Sequence, residues 1–167
     1  YSGTMTAQPE SRGETQYKDI RGARVAINNV FNFTADNAGL NTIGLNYATY
    51  REEQSFGPKY SLLGVDFLLE FDRWELSGEA YTRKIDHGQG GGSGAYLQSA
   101  FLIKNDWYWI TRLESFHQPN ASNAERWIVG VTKRLKPNQL LKFEVVGGNG
   151  EYEDIPRGFT TSFAMMY

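Results

Sequence analysis

Charge and apolarity keep to opposite parities over most of this chain. In the stretch YSLLGVDFLLEF, Leu63, Val65, Phe67, Leu69 and Phe71 share one parity, and Asp66 and Glu70 take the other. Side chains of a strand point alternately to its two faces, so this period gives a strand with one apolar and one charged face. RWELSGEAYTR sets Trp74, Leu76, Gly78 and Ala80 against Glu75, Ser77, Glu79, Tyr81 and Arg83. WYWITRLES sets Trp107, Trp109, Thr111 and Leu113 against Arg112 and Glu114. ERWIVGVTKR opposes Trp127, Val129 and Val131 to Arg126 and Arg134, and LLKFEVV opposes Leu141, Phe143 and Val145 to Lys142 and Glu144. The first alternating stretch puts Val25, Ile27, Phe31 and Phe33 together, with Asn29 as its polar exception. Nearly every charge falls on one parity. Lys133 is the exception, near a strand end where its long side chain reaches water.

Turn signals divide these segments at regular intervals, the pattern of an all-β meander. The expected strands are 23–34, 42–51, 60–71, 73–84, 94–104, 107–117, 126–135, 138–147 and 158–167. Each is about ten residues, the length a tilted strand needs to cross a hydrocarbon layer. Short polar connections (ADNAGLN, FDR, KND, KPNQ) alternate with long ones rich in Gly and charge (REEQSFGPK, KIDHGQGGGSG, FHQPNASNAE, GGNGEYEDIPRG). Aromatics at 14 % and 18 glycines suit strands and turns. A net charge of −2 argues against a nucleic-acid partner. The lack of cysteine fits a reduced compartment, or an exported chain that needs no crosslink. No apolar run reaches the length of a membrane helix, which leaves alternating membrane strands open. No leader pattern opens the sequence, so it reads as a mature form, a fragment or a chain never exported.

Alternation by itself does not say which face is inside, because soluble and membrane barrels have opposite polarity. Three features favour apolar-out, one being that the last residue, Tyr167, is aromatic and in phase with the apolar face. Trp74, Trp107, Trp109, Trp127, Tyr47 and Tyr167 lie on the apolar parity and mostly near strand ends, as in an aromatic girdle. Short and long connections also alternate, as the two ends of an outer-membrane barrel do. The expected fold is therefore an all-β, antiparallel, up-and-down transmembrane β-barrel, with about nine or ten strands in this chain.

The final FTTSFAMMY places Phe159, Phe163, Met165 and Tyr167 on one parity. It resembles the C-terminal signal that outer-membrane β-barrels present to their assembly machinery. More loosely, SLLGVDFLLEFDRWELSGEAYTRK, GAYLQSAFLIKNDWYWITRLESF and RWIVGVTKRLKPNQLLKFEV resemble the last hairpins of phosphate-selective-type porins, over about residues 23–167. The resemblance implies a bacterial outer-membrane location, contact with outer-membrane lipid and the barrel assembly machinery, and passage of small hydrophilic solutes or ions. It also implies a homo-oligomer or a partner within a membrane complex. It places the C-terminus on the periplasmic side, with residues 1–22 as an external loop or the end of a preceding strand and 23–167 as barrel strands. An external N-terminus does not match the even strand number of single-chain barrels. Either YSGTMTA ends a tenth strand, or the chain is the C-terminal portion of a larger barrel, which is the favoured expectation.

On that reading Asp66, Glu70, Glu75 and Glu79 line one stretch of the lumen, and Arg112, Glu114, Arg126, Lys142 and Glu144 a later one. Segregated walls would set a transverse field; the same residues could instead form salt bridges that fill a narrow barrel. The acids put phosphate as the solute in doubt. His87 and His117 are the only imidazoles, in connections near Asp86 and Ser115, and their spacing specifies no catalytic partner. GQGGGSG lacks the Lys and Ser/Thr of a phosphate loop and reads as a flexible loop. Glu151, Glu153 and Asp154 lack a dedicated calcium pattern. No enzyme activity, metal or cofactor is expected. The functions in competition are a diffusion porin, a scaffold or anchor barrel within a larger outer-membrane complex, and a soluble lipocalin-like ligand carrier.

Overall fold

The computed structural model describes residues 2–7, 15–30, 41–52, 58–86, 90–119, 123–149 and 157–165, with side chains from Lys18 onward. Their period-two sequence forms strands throughout: β1 Ser2–Ala7, β2 Thr15–Asn28, β3 Asn41–Glu52, β4 Lys59–Phe71, β5 Trp74–Ile85, β6 Gly91–Lys104, β7 Trp107–His117, β8 Ala124–Lys136, β9 Gln139–Asn149 and β10 Gly158–Met165. They make one antiparallel sheet in sequence order, and among the described residues β1 and β10 are its two edges. The fold is all-β and up-and-down.

Three expectations about the first strand change. β2 starts at Thr15 rather than near residue 23, and it ends at Asn28. Asn29 is no polar exception within a strand: it turns into the left-handed region at φ 56° while its N–H donates to the Asn41 carbonyl at 2.7 Å. Asn tolerates that conformation better than most residues, so the ladder stops there. Phe31 and Phe33 lie outside the described residues. The stretch Ser2–Ala7 forms a tenth strand, which covers only Thr15–Arg21 of β2.

Two-residue connections close one end of the sheet. Asp72 and Arg73 join β4 to β5, Asn105 and Asp106 join β6 to β7, and Pro137 and Asn138 join β8 to β9. Asn105 and Asp106 both have positive φ (49° and 61°), as a type I′ hairpin turn requires. Pro137 fixes a negative φ, so that turn differs in type, yet both hairpins carry a register shift beside the turn, between Leu102 and Lys104 and between Arg134 and Lys136. The fourth connection at that end, residues 29–40 between β2 and β3, is longer than any at the other end, so the short ADNAGLN connection expected there is not what the strand bounds give. The connections at the other end are 8–14, 53–58, 86–90, 118–123 and 150–157. With ten strands, the outer end of β10 and the start of β1 both point toward the short-turn end.

One row of directly opposed residues runs Asn28, Thr42, Leu68, Ser77, Gln98, Arg112, Ile128, Val146, Gly158. It joins the last residue of β2 to the first of β10, so the strands slip steadily past one another. The slip is roughly one residue, about 3.4 Å, for each strand spacing of about 4.8 Å. That corresponds to a tilt of about 35–40°, within the range of barrel strands.

The apolar face carries exposed large side chains on every strand from β2 to β10, Val25 at 67 % and Leu113 at 55 % among them. Two of its aromatics lie flat over a directly paired glycine: Phe67 over Gly78, and Trp127 over Gly147. A Cβ at either glycine would collide with the ring above it. No helix among the described residues is long and apolar enough to cross a membrane, which says nothing about strands.

Candidate functional site

The opposite face gathers the polar side chains. Cross-strand partners share a face, so the register assigns each of them. Asp66 pairs with Glu79 and Glu70 with Glu75. Glu79 pairs with Tyr96, Tyr96 with Glu114, and Glu114 with Arg126. Arg112 pairs with Gln98, Glu144 with Gly130, and Lys142 with Thr132. Asp66, Glu70, Glu75, Glu79, Arg112, Glu114, Lys142 and Glu144 thus all lie on one face, together with Arg24 and Arg126. This face is the more sheltered one. Glu114 is only 5 % exposed, with Arg112 and Arg126 on its two oxygens and Tyr96 directly across from it.

Two networks organise the face. On β2–β4, Arg24 grips Asp66 through two parallel bonds, Nη2 to Oδ1 at 2.6 Å and Nε to Oδ2 at 3.2 Å. Asn46 Nδ2 donates to the same Oδ2 at 2.6 Å. Gly44 stands directly opposite Asp66, and its missing side chain leaves the space in which this carboxylate and the Arg24 guanidinium meet. The fork-to-carboxylate geometry fixes both side chains in direction. Sequence reading missed Arg24 and Asn46, because only the register brings them to Asp66 across two strands.

On β6–β8, Glu114 lies between two arginines. Arg112 Nε donates to its Oε1 at 2.6 Å, and Arg126 donates to its Oε2. The Arg112 guanidinium also lies 4.0 Å over the Tyr96 ring and reaches Gln98 Oε1 at 3.4 Å. A carboxylate this buried is tolerable because both oxygens accept charge-assisted bonds. The cluster keeps one net positive charge. On β4 and β5 the carboxylates Asp66 and Glu79, and likewise Glu70 and Glu75, face each other directly, an arrangement that repels. Salt bridges thus form within both groups. On this face carboxylates outnumber cations on β4–β5, and arginines outnumber carboxylates on β7–β8.

The apolar face holds Phe159, Phe163 and Met165, paired with Val145, Leu141 and Gln139. Tyr167 lies outside the described residues. Trp74, Phe101 and Trp109 form an aromatic row at the short-turn end, with Trp74 and Phe101 centroids 4.6 Å apart. Tyr47 is in the middle of β3 rather than at a strand end. Lys133, on the apolar parity, lies beside Trp107 and bends its ammonium back to the Asn105 carbonyl in the neighbouring turn. It has company that the parity rule did not foresee. Arg21, Arg51, Lys59 and Lys84 also lie on the apolar parity, at the long-connection end of β2–β5.

The imidazoles separate. His117 ends β7 rather than lying in a connection, and contacts Asn123; His87 falls outside the described residues, as do Glu151, Glu153 and Asp154. Half of the glycine run is strand, since β6 begins at Gly91. Gly91 has φ 139°, and a side chain there would run into the Arg83 carbonyl, so the glycine permits close strand approach. Among the described residues no group of His, Cys, Asp or Glu is placed to hold a metal ion. No family model, no curated protein and no solved structure matches this chain.

Proposed function

We propose that this chain forms strands of a porin-like β-barrel in a bacterial outer membrane, and that its charged face borders an aqueous path for small hydrophilic solutes or ions. The observation that carries the reading is the exposed apolar face, continuous from β2 to β10. In water that surface would far exceed the apolar patches a soluble monomer leaves open. In a bilayer it is the lipid-facing wall. The soluble-carrier alternative needs the same residues packed around a central cavity and the charges outside. The aromatic row beside the two-residue turns supports the membrane reading as well, and the strand tilt is compatible with it. Phe159, Phe163 and Met165 then serve both as lipid-facing wall and as part of the signal read by the assembly machinery.

Planar-bilayer recording of the protein folded in detergent tests the conducting role. Discrete single-channel steps are expected. A silent bilayer, with the sheet demonstrably folded and inserted, would replace diffusion with the scaffold reading, in which the paired Arg112, Glu114 and Arg126 help fill a closed lumen.

A further inference from the structure

The apolar face is not uniform along its height. At the short-turn end it finishes in aromatic rings. At the other end, on β2 through β5, it finishes in cations. Arg21, Thr49, Ser61 and Lys84 are successive cross-strand partners, and one step further out Arg51 is partnered with Lys59. Lys18 is the other cross-strand partner of Arg51, so five basic side chains from four adjacent strands share a rim, on the same face as Tyr47 and Leu63 just below them. Those two residues are about half exposed, as are the Arg51 and Lys59 side chains.

Among the described residues, the acids nearby hold this charge only loosely. Asp19 stands 3.9 Å from Arg51 Nε, and Asp86 3.8 Å from Lys59 Nζ. Exposed pairs at such distances hold little energy and exchange readily for a better partner. The equivalent height on β6–β8 presents Ser93, His117, Ser115 and Glu125. The basic rim is thus not continued on β6–β8, and a generic solubilising surface would not be expected to stop at β5.

We infer that this sector is a binding site for a phosphate-bearing membrane lipid, its acyl chains lying along Leu63 and Tyr47 and its phosphate held by Arg21, Arg51, Lys59 and Lys84. The inference rests on the membrane reading above. It adds to that reading a specific ligand class and a specific side of the barrel, the leaflet next to the long connections. The chemistry is amphipathic on both partners. An apolar surface takes the chains, and guanidinium forks and ammonium groups at the height of the headgroups take the anion. A basic side chain near an anionic membrane surface changes binding by roughly fivefold.

The test uses the full chain folded in neutral-detergent micelles, with phosphatidic acid or phosphatidylcholine of identical chains added, and lipid adducts counted by native mass spectrometry. Preferential retention of phosphatidic acid is expected. The combined variant R21Q/R51Q/K59Q/K84Q, whose changes are all at exposed positions, should bind it on the order of 100-fold more weakly. K104Q/R134Q/K136Q, at the opposite end, should bind it as the unaltered protein does. Equal retention by the first variant, equal loss in the second, or full displacement of the lipid by equimolar inorganic phosphate would overturn the site. A chain that stays monodisperse without detergent and retains neither lipid would overturn the membrane reading itself.

Discussion

The two faces of this sheet are made by the same strands at the same positions along them, yet they obey different rules of assembly. On the charged face, side chains meet partners. Asp66 has Arg24 and Asn46; Glu114 has Arg112 and Arg126. On the apolar face they mostly project past one another, exposed, and the specific contacts are flat ones: Phe67 over Gly78, Trp127 over Gly147. The difference teaches where specificity is needed. A face that meets hydrocarbon tails gains little from choosing among neighbours, because tails are as apolar as the side chains themselves. A face that sets carboxylates and guanidinium groups within hydrogen-bonding distance brings charges together at short range, and each must be matched or it repels. Lys133 marks the boundary between the two regimes, since its charge returns to a turn carbonyl instead of remaining on the apolar wall.

Moving a charge from one face to the other is the strongest way to break the comparison. Val145→Arg puts a cation in the middle of the apolar face, where Val145 lies between Val129 and Phe159. In a bilayer the cost is about 2–4 kcal/mol at mid-depth. Ser77→Arg makes a comparable change on the other face, beside Glu75 and Glu79, and should cost well under half as much. Urea unfolding of both variants in lipid vesicles measures the difference. Equal destabilisation would mean that the faces do not have different surroundings.

The next largest effect concerns matching within the charged face. Glu114→Ala would leave Arg112 and Arg126 facing each other without the carboxylate that joins them. With both arginines about one-third exposed, the loss should be about 1–3 kcal/mol, because water screens part of the repulsion. Glu114→Gln should recover part of it through its remaining acceptor. Glu79→Ala, an exposed carboxylate on the same face, should change stability by no more than about 0.5 kcal/mol. The same unfolding assay ranks the three, and a Glu114→Ala loss no greater than that of Glu79→Ala would remove the buried carboxylate from any organising role.

Much of this was legible in the sequence, for a physical reason. Period-two alternation is a local property, so the stretches from Asn41 to Asn149 could be assigned as strands from the residue pattern alone, to within a few residues at each end. The eight candidate residues share a face for the same reason. What failed was either non-local or decided by a single residue. Arg24 sits 42 positions from Asp66, and no spacing rule joins them. β2 was displaced because a left-handed Asn29 ends the ladder while the apolar pattern continues through Phe31 and Phe33. The basic rim was hidden by the parity rule itself. Arg51 and Lys84 break that rule at strand ends, and only the aligned register shows that they break it side by side.

The smallest effect expected is also the one that asks whether the charged face borders a conducting path. Arg112 and Lys142 belong to the β7–β9 side, and Asp66, Glu75 and Glu79 to the β4–β5 side. Between low-dielectric walls such fixed charges bias ion entry. Replacing Arg112 and Lys142 by Gln removes two positive charges and leaves every carboxylate, so the reversal potential in a salt gradient should move toward cation preference. Arg126 still donates to Glu114 in that variant, so the network loses one arm and keeps the other. The stability change should therefore be minor, and the selectivity change should not arise from unfolding. Screening lengths fall from about 10 Å at 0.1 M salt to about 3 Å at 1 M. The shift should accordingly be clear at low salt and nearly absent at high salt. Single-channel steps of unaltered size with an unmoved reversal potential at 0.1 M would mean that ions pass elsewhere, and that this face, for all its charge, is a structural seam.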